Sequence, residues 1–348
     1  MSGRSVAMTG RTAGGLLGLV LGMMLAALPL DAVAAKKETR LGLAELGRRY
    51  GLQATWTKPG HELRLHSRWT TLEFRAGSRE AAWNGLRLFL GEPVEAGGGT
   101  LRLAESDWRA IVRPLLEPAA VSAPGALELI VIDPGHGGSD PGTVNRTLKL
   151  EEKTLTLDVA QRLRRDLERR GYRVALTRST DTRLKPTQGA DLQARAELAN
   201  RLGADLFLSL HFNALPDQPK VGGIETYVFT PAGQRSTAAH LRMPSDRTAH
   251  PGNRHDHWSA VLGATMHSRL VSGLGGEDRG LKRARFAVLR PLDCPAVLVE
   301  AGFLSNRAEA GRIATPAHRQ RIAEAIGEGV GAYHARLTEA RQAGGRGP

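Results

Sequence analysis

Three apolar runs beyond residue 128 end abruptly on polar side chains. Leu129-Ile130-Val131-Ile132 leads into Asp133-Pro134-Gly135-His136-Gly137-Gly138, Leu206-Phe207-Leu208-Ser209-Leu210 ends on His211, and Ala296-Val297-Leu298-Val299 ends on Glu300. Runs this short and this apolar read as strands buried on both faces. The pattern predicts strands over 127–133, 172–177, 205–211, 223–229, 286–289 and 296–300. Between them it predicts helices over 152–170, 191–202, 258–273 and 316–337. Such alternation implies an α/β fold, a mostly parallel twisted sheet with helices on both faces. Ligands bind beyond the carboxyl ends of the strands in such sheets, so three chemically active strand ends point to one shared site.

The first third is patterned differently. Leu41, Leu43, Leu46 and Tyr50 space as a helix, Leu63 and Leu65 alternate as a strand, Thr71–Phe74 reads as another, and Trp108, Ile111, Val112 and Leu115 close with a helix. Residues 36–116 are therefore expected to form a small α+β module preceding the main domain. Ala81-Ala82-Trp83-Asn84-Gly85 gives it a loose resemblance to copper-amine-oxidase N-terminal-like modules, from which no copper chemistry follows. Residues 117–126, with Pro118, Pro124, Gly125 and four alanines, read as a linker, and 127–340 as the main domain.

Residues 1–34 have the pattern of a signal peptide. Arg4 and Arg11 precede an apolar run from Gly14 to Leu30, and Asp31-Ala32-Val33-Ala34 offers a small-residue cleavage site. Export follows, with the periplasm as the expected compartment. The chain has 348 residues and a net charge of +13. That excess suggests anionic partners, but few aromatics and no zinc-finger or RNA-sheet signature argue against nucleic acid. Cys294 is the single cysteine, so no internal disulfide exists; beside Pro295 at the start of an apolar run it reads as a small buried hydrophobe.

Two of the strand ends carry histidine, and a catalytic metal needs a third ligand. Glu151 and Glu152 both precede the 152–170 helix. At 100° per residue, Glu152 falls inside the stripe made by Leu155, Val159, Ala160, Leu163 and Leu167, and Glu151 falls off it. A carboxylate aimed into the core needs a metal or a charge partner, so Glu152 is the ligand of choice. His136, Glu152 and His211 form a His₂Glu set, the three-ligand pattern of catalytic zinc with one position open. Glu300, at the end of a wholly apolar strand, is the candidate general base and acid. Pairing with Arg178 or Arg195 is the alternative for that glutamate. A phosphate-cradling loop at Gly135–Gly138 is disfavoured because no Gly-Lys-Ser/Thr follows.

Residues 129–315 resemble the zinc-dependent N-acetylmuramoyl-L-alanine amidases of the peptidoglycan amidase 3 type. The resemblance is carried by Ile130–Gly138, Leu150–Lys153, Leu176-Thr177-Arg178, Ala204–Ala214, Arg279-Gly280-Leu281-Lys282 and Pro295–Asn306, in the family's order. It implies one zinc ion on His136, Glu152 and His211, and Glu300 as the catalytic glutamate. The implied reaction is hydrolysis of the amide joining the lactyl group of N-acetylmuramic acid to L-alanine. Zinc polarises the carbonyl and activates water, and Glu300 takes a proton and returns it to the leaving nitrogen. The implied partner is peptidoglycan, and a monomer is expected. Asn213, Arg283 and Arg285 are candidate substrate-binding residues, the arginines for stem-peptide carboxylates.

The chain departs from the family pattern between Pro231 and Gly280. This stretch holds His240, His250, His255 and His257 and reads as a lid, a substrate wall or a regulatory plug, with a second metal site as a further option. A catalytically silent wall-binding or regulatory protein on the same scaffold is the competing reading, against which the presence of all four key residues counts. A zinc hydrolase with a non-wall substrate is a third, because fold alone does not fix function.

Overall fold

The computed structural model describes residues 38–344, which form one compact unit. The expected signal peptide lies outside the described residues. Eleven strands make one sheet. In chain order they are β1 (Gln53–Lys58), β2 (Glu62–His66), β3 (Thr71–Arg75), β4 (Glu80–Trp83), β5 (Leu86–Phe89), β6 (Leu129–Pro134), β7 (Arg173–Leu176), β8 (Leu206–Asn213), β9 (Ile224–Phe229), β10 (Asp278–Ala284) and β11 (Ala296–Phe303). Their spatial order is β7-β6-β8-β11-β9-β10-β5-β4-β3-β2-β1. The strands β7, β6, β8 and β11 run parallel, β9 is antiparallel to β11, β10 is parallel to β9, and β5 to β1 form an antiparallel meander.

Four helices cover the parallel part: α1 (Glu152–Arg169), α2 (Gln188–Leu202), α3 (Asp256–Leu274) and α4 (Pro316–Gly344). Helices α1 and α3 each pack against α4 over one face. Strand alternation sends Ile130, Ile132, Leu206, Leu208 and Leu210 to that side. Val131 and Phe207 point the other way, where they meet Ala196 and Ala199 of α2 and Val288, Leu289 and Leu292. Gly203, at φ +68, ends α2 in the left-handed conformation that glycine adopts without strain.

The first-third elements exist as expected, including a helix at Leu43–Arg49 and helical turns over 105–116. They do not stand apart from the main domain. Leu281 of β10 pairs with Leu88 of β5, joining the meander to the central sheet. Leu65, Leu72, Phe74, Leu101 and Ile111 belong to the same apolar cluster as Leu163 and Leu208. The linker segment is pinned rather than free: His257 Nε2 lies 2.8 Å from the Pro118 carbonyl, and Trp258 Nε1 donates to that of Ser122 at 3.0 Å.

Two strand assignments change. Residues 286–289 are not a strand; they form a turn whose Val288 and Leu289 fill the smaller core cluster. The strand is β10, whose charges hid it. Its Asp278, Arg279, Lys282 and Arg283 all find partners, so a charged segment runs through the sheet.

Candidate active site

The loop after β6 is held from behind by two buried arginines. Arg195 pairs with Asp133 at 2.8 Å and Asp191 at 2.7 Å, and donates to the carbonyls of Pro134 and His136. Arg178 donates to the carbonyls of Pro134, Gly135 and Lys153. Thr177 and Ser209 also donate to Asp133. Both arginines are committed to this clamp, and neither pairs with Glu300. The clamp holds His136 at φ +63, a left-handed conformation uncommon for a residue with a side chain. Strain of this kind persists only where surroundings impose it, and it commonly marks functional positions.

His136, Glu152 and His211 come together. Glu152 Oε1 lies 3.2 Å from His136 Nε2 and 3.0 Å from His211 Nδ1, and one ligand atom from each residue falls within 4.8 Å of the others. Glu152 is 3% exposed and Glu151 is exposed, as the helix arithmetic anticipates. The backbone N–H groups of Thr143 and Phe212 donate to the Glu152 carboxylate. His136 Nδ1 lies 3.0 Å from Asp140, which fixes the ring and leaves Nε2 toward the cluster. Burial would raise the Glu152 carboxyl, but the two histidines hold it well below the ordinary range. Burial likewise opposes the charge on His136, yet Glu152 and Asp140 raise its pKa.

Two glycines make room. A Cβ on Gly135 would sit 2.3 Å from the His211 ring, and one on Gly142, at φ +64, would sit 2.6 Å from His136 and 2.7 Å from Glu152. Two imidazoles and a carboxylate, with an outer carboxylate on one histidine, are a donor set that suits zinc and related divalent ions.

The cluster opens into a cavity of about 550 Å³ that Glu300, Asn213, Phe286 and Val288 also line. Glu300 lies beside His211 in the β8–β11 register. It keeps partial exposure at the cavity wall, but its Oε2 is buried without a hydrogen-bond partner among the described residues. Burial, then the negative charges of Glu152 and Glu225, push its pKa well up, against a smaller pull from Lys282.

Asn213 reaches the cavity, although its amide already donates to Glu225 at 3.0 Å and accepts from the Ala214 N–H. Arg283 and Arg285 do not reach it. Arg283 is 2% exposed and donates to the Phe89 and Ala110 carbonyls, fastening β10 to the first third. Arg285 pairs with Asp246 at 2.8 Å and donates to the Gln234 carbonyl. Both are structural, Arg283 because the first third folds against it and Arg285 because the 231–246 segment does, which no local spacing could reveal.

No residue of the 231–280 stretch lines the cavity. Arg79 donates to the carbonyls of Ser236, Thr237 and Ala239, and Gln234 to Asp107, so its first part packs against the first third. Among the described residues its histidines form no metal-holding group.

One residue of the site's surroundings escaped the sequence reading. Glu225 accepts from Asn213, Tyr227, Arg279 and Lys282 and is 2% exposed. Its signal was available: the one charged residue inside the strand-like run Ile224–Phe229, open to the argument applied to Glu152.

Fold and site together define a class, an open α/β sheet with a candidate three-ligand metal centre at the carboxyl ends of its strands. The family model for N-acetylmuramoyl-L-alanine amidases of the amidase 3 type matches residues 130–332. N-acetylmuramoyl-L-alanine amidase LytC of Bacillus subtilis is 34% identical over 207 residues, 60% of this chain and 36% of the relative. N-acetylmuramoyl-L-alanine amidase AmiA of Escherichia coli is 32% identical over 230 residues, 60% of this chain and 77% of the relative. The crystal structure of the N-acetylmuramoyl-L-alanine amidase from Clostridium difficile 630 superposes with a TM-score of 0.50 at 32% identity, covering 60% of this chain and 97% of that one. The chain belongs to the amidase 3 family of N-acetylmuramoyl-L-alanine amidases. It spans little more than a third of LytC, so the extent of likeness differs among its relatives.

Proposed function

We propose that this chain is an exported, zinc-dependent N-acetylmuramoyl-L-alanine amidase that cuts the amide between N-acetylmuramic acid and L-alanine in peptidoglycan. The observation that carries the reading is Glu300, which lines the same cavity as the His136–Glu152–His211 cluster and whose buried Oε2 has no hydrogen-bond partner among the described residues. His136, Glu152 and His211 would hold the ion, which when bound polarises the carbonyl and makes water acidic enough to deprotonate near neutral pH. Glu300 accepts the proton of the attacking water as the new C–O bond forms. It then delivers that proton to the departing L-alanine nitrogen as the C–N bond breaks. Asp140 fixes His136, and the Arg195–Asp133 clamp fixes the loop that carries it. The turn bearing Phe286 and Val288 supplies an apolar wall that keeps bulk water from the reacting bond.

The test is release of stem peptides from purified sacculi by zinc-loaded protein beside Glu300→Gln. Wild type should release peptides with a free L-alanine amino terminus and the variant should not. A wild type that releases nothing and binds no zinc would favour the silent wall-binding reading.

A further inference from the structure

Away from the active site, a groove of about 770 Å³ opens in the first third of the chain. It lies between the Leu43–Arg49 helix, the short sheet holding Arg40–Gly42, Glu95–Gly97 and Thr100–Ala104, and the helical turns that follow. It shares no lining residue with the catalytic cavity. Six arginines line it, Arg40, Arg48, Arg49, Arg102, Arg109 and Arg113, against only two acids, Glu45 and Glu105.

The rest of the same module shows what a merely solvated surface looks like here. On the meander, Arg64 pairs with Glu73, Arg75 with Glu62 and Arg87 with Glu80. In the groove, Arg40, Arg109 and Arg113 pair with Glu95, Glu105 and Glu117, but Arg48, Arg49 and Arg102 are exposed and make no ion pair among the described residues. Arg49 lies only over the ring of Tyr50, which stacks against Trp108 with centroids 5.1 Å apart. Like charges brought together from separate chain segments repel, and an anion between them relieves that cost. Guanidinium forks match planar oxyanions two bonds at a time. The groove is also too large for a single small ion and suits an extended chain.

We propose that this groove is a second binding site for peptidoglycan, holding the carboxylates of uncut stem peptides while the catalytic cavity works elsewhere on the strand. The proposal rests on the amidase reading for its ligand. A polymer that carries a carboxylate on every stem presents repeated partners for Arg48, Arg49 and Arg102. Two sites on one rigid unit raise the local concentration of substrate at the second once the first is engaged.

The experiment is co-sedimentation of the full chain carrying Glu300→Gln with purified sacculi, with and without Arg48→Ala/Arg49→Ala/Arg102→Ala. These three side chains are exposed, so the fold should survive, and circular dichroism checks it. Binding should weaken about tenfold in the triple variant, the loss expected when three exposed charge contacts disappear. Arg64→Ala/Arg75→Ala, on the paired face, should leave binding unchanged. Sacculi whose carboxyls are amidated should lose binding to the parent, and sacculi stripped of phosphodiester polymers with hydrofluoric acid should retain it. Equal binding by the triple variant overturns the proposal. So does loss of binding after acid stripping, which would assign the groove to phosphate. Cleavage of a small soluble muramyl peptide by the triple variant with Glu300 intact reports separately on the amidase reading and should match wild type.

Discussion

Glu225 and Glu300 stand directly opposite each other on neighbouring antiparallel strands, and their carboxyl groups live under opposite conditions. Glu225 accepts from Lys282, Arg279, Tyr227 and Asn213, and these partners hold it below the ordinary range despite burial. Glu300 has an oxygen with no hydrogen-bond partner among the described residues and is pushed the other way. One acid is a fixed anion and the other is free to exchange a proton. Replacing Glu300 with Gln should lower turnover by roughly 10²–10⁴-fold while metal binding stays intact, as measured by peptide release alongside zinc titration. A variant that keeps its turnover would move the proton-handling role elsewhere.

The glycines at the cluster give a test of the metal site that does not depend on turnover. Gly135→Ala places a methyl group against the His211 ring and Gly142→Ala against His136 and Glu152. Either should weaken zinc affinity by about 10–100-fold, the usual consequence of disturbing ligand orientation, with the helical content unchanged. Isothermal titration with zinc reads this directly; unaltered affinity would show that the cluster is not where the ion sits.

Arg195 and Asp133 are each 1% exposed and support the loop that carries His136. Removing one partner leaves the other charged and buried. Arg195→Met should cost about 3–5 kcal/mol in chemical denaturation. A loss below about 1 kcal/mol would mean that water or neighbours replace the guanidinium.

His318, in the first turn of α4, gives a pH signature far from the metal cluster. Burial, then Arg321 and Arg312, lower its pKa to about 4. The nearby Glu309 carboxylate is already occupied by the Gly223 and Phe303 N–H groups. The unfolded chain takes up this proton near pH 6.5 and the folded chain only near 4, so stability is full above 6.5 and falls on acidification between those values. At pH 5 the loss from this one group is about 1–2 kcal/mol. His318→Leu should flatten the decline in melting temperature between pH 7 and 5 relative to wild type, and parallel declines would refute it.

The parallel half of the sheet and the converging ligands were legible because their signals are local. Apolar runs ending on histidine or glutamate, and a helix phase that separates Glu152 from Glu151, need no knowledge of distant residues. What stayed hidden depends on long-range partners. The charges of β10 look like loop residues until Glu225 and the Phe89 carbonyl are placed beside them. Arg283 and Arg285 looked like substrate ligands for the same reason. The apolar run at 286–289 looked like a strand because periodicity alone cannot tell a buried turn from one.

The joining of β5 to β10 also changes what a truncated protein would be. Deleting residues 38–116 uncovers the β10 edge around Leu281 and removes the carbonyls that satisfy Arg283. An uncovered sheet edge with unpaired backbone groups pairs with other chains. The 127–344 fragment should therefore aggregate or melt well below the longer chain, measurable by light scattering on heating. A fragment that stays monomeric with an unchanged transition would make the junction dispensable.

The single sheet also sets a timetable. The meander strands are neighbours in sequence and close by short hairpins, whereas β8 meets β11 only after about ninety further residues have been added. Contacts between distant residues form late. His211 and Glu300 lie in that late pairing, so the chain should acquire its bond-cutting centre at the end of folding. Pulsed hydrogen exchange during refolding should show protection on β2–β4 before β11. A nascent chain would then carry a harmless precursor of the centre until its last strands are in place, a form of safety that requires no inhibitor.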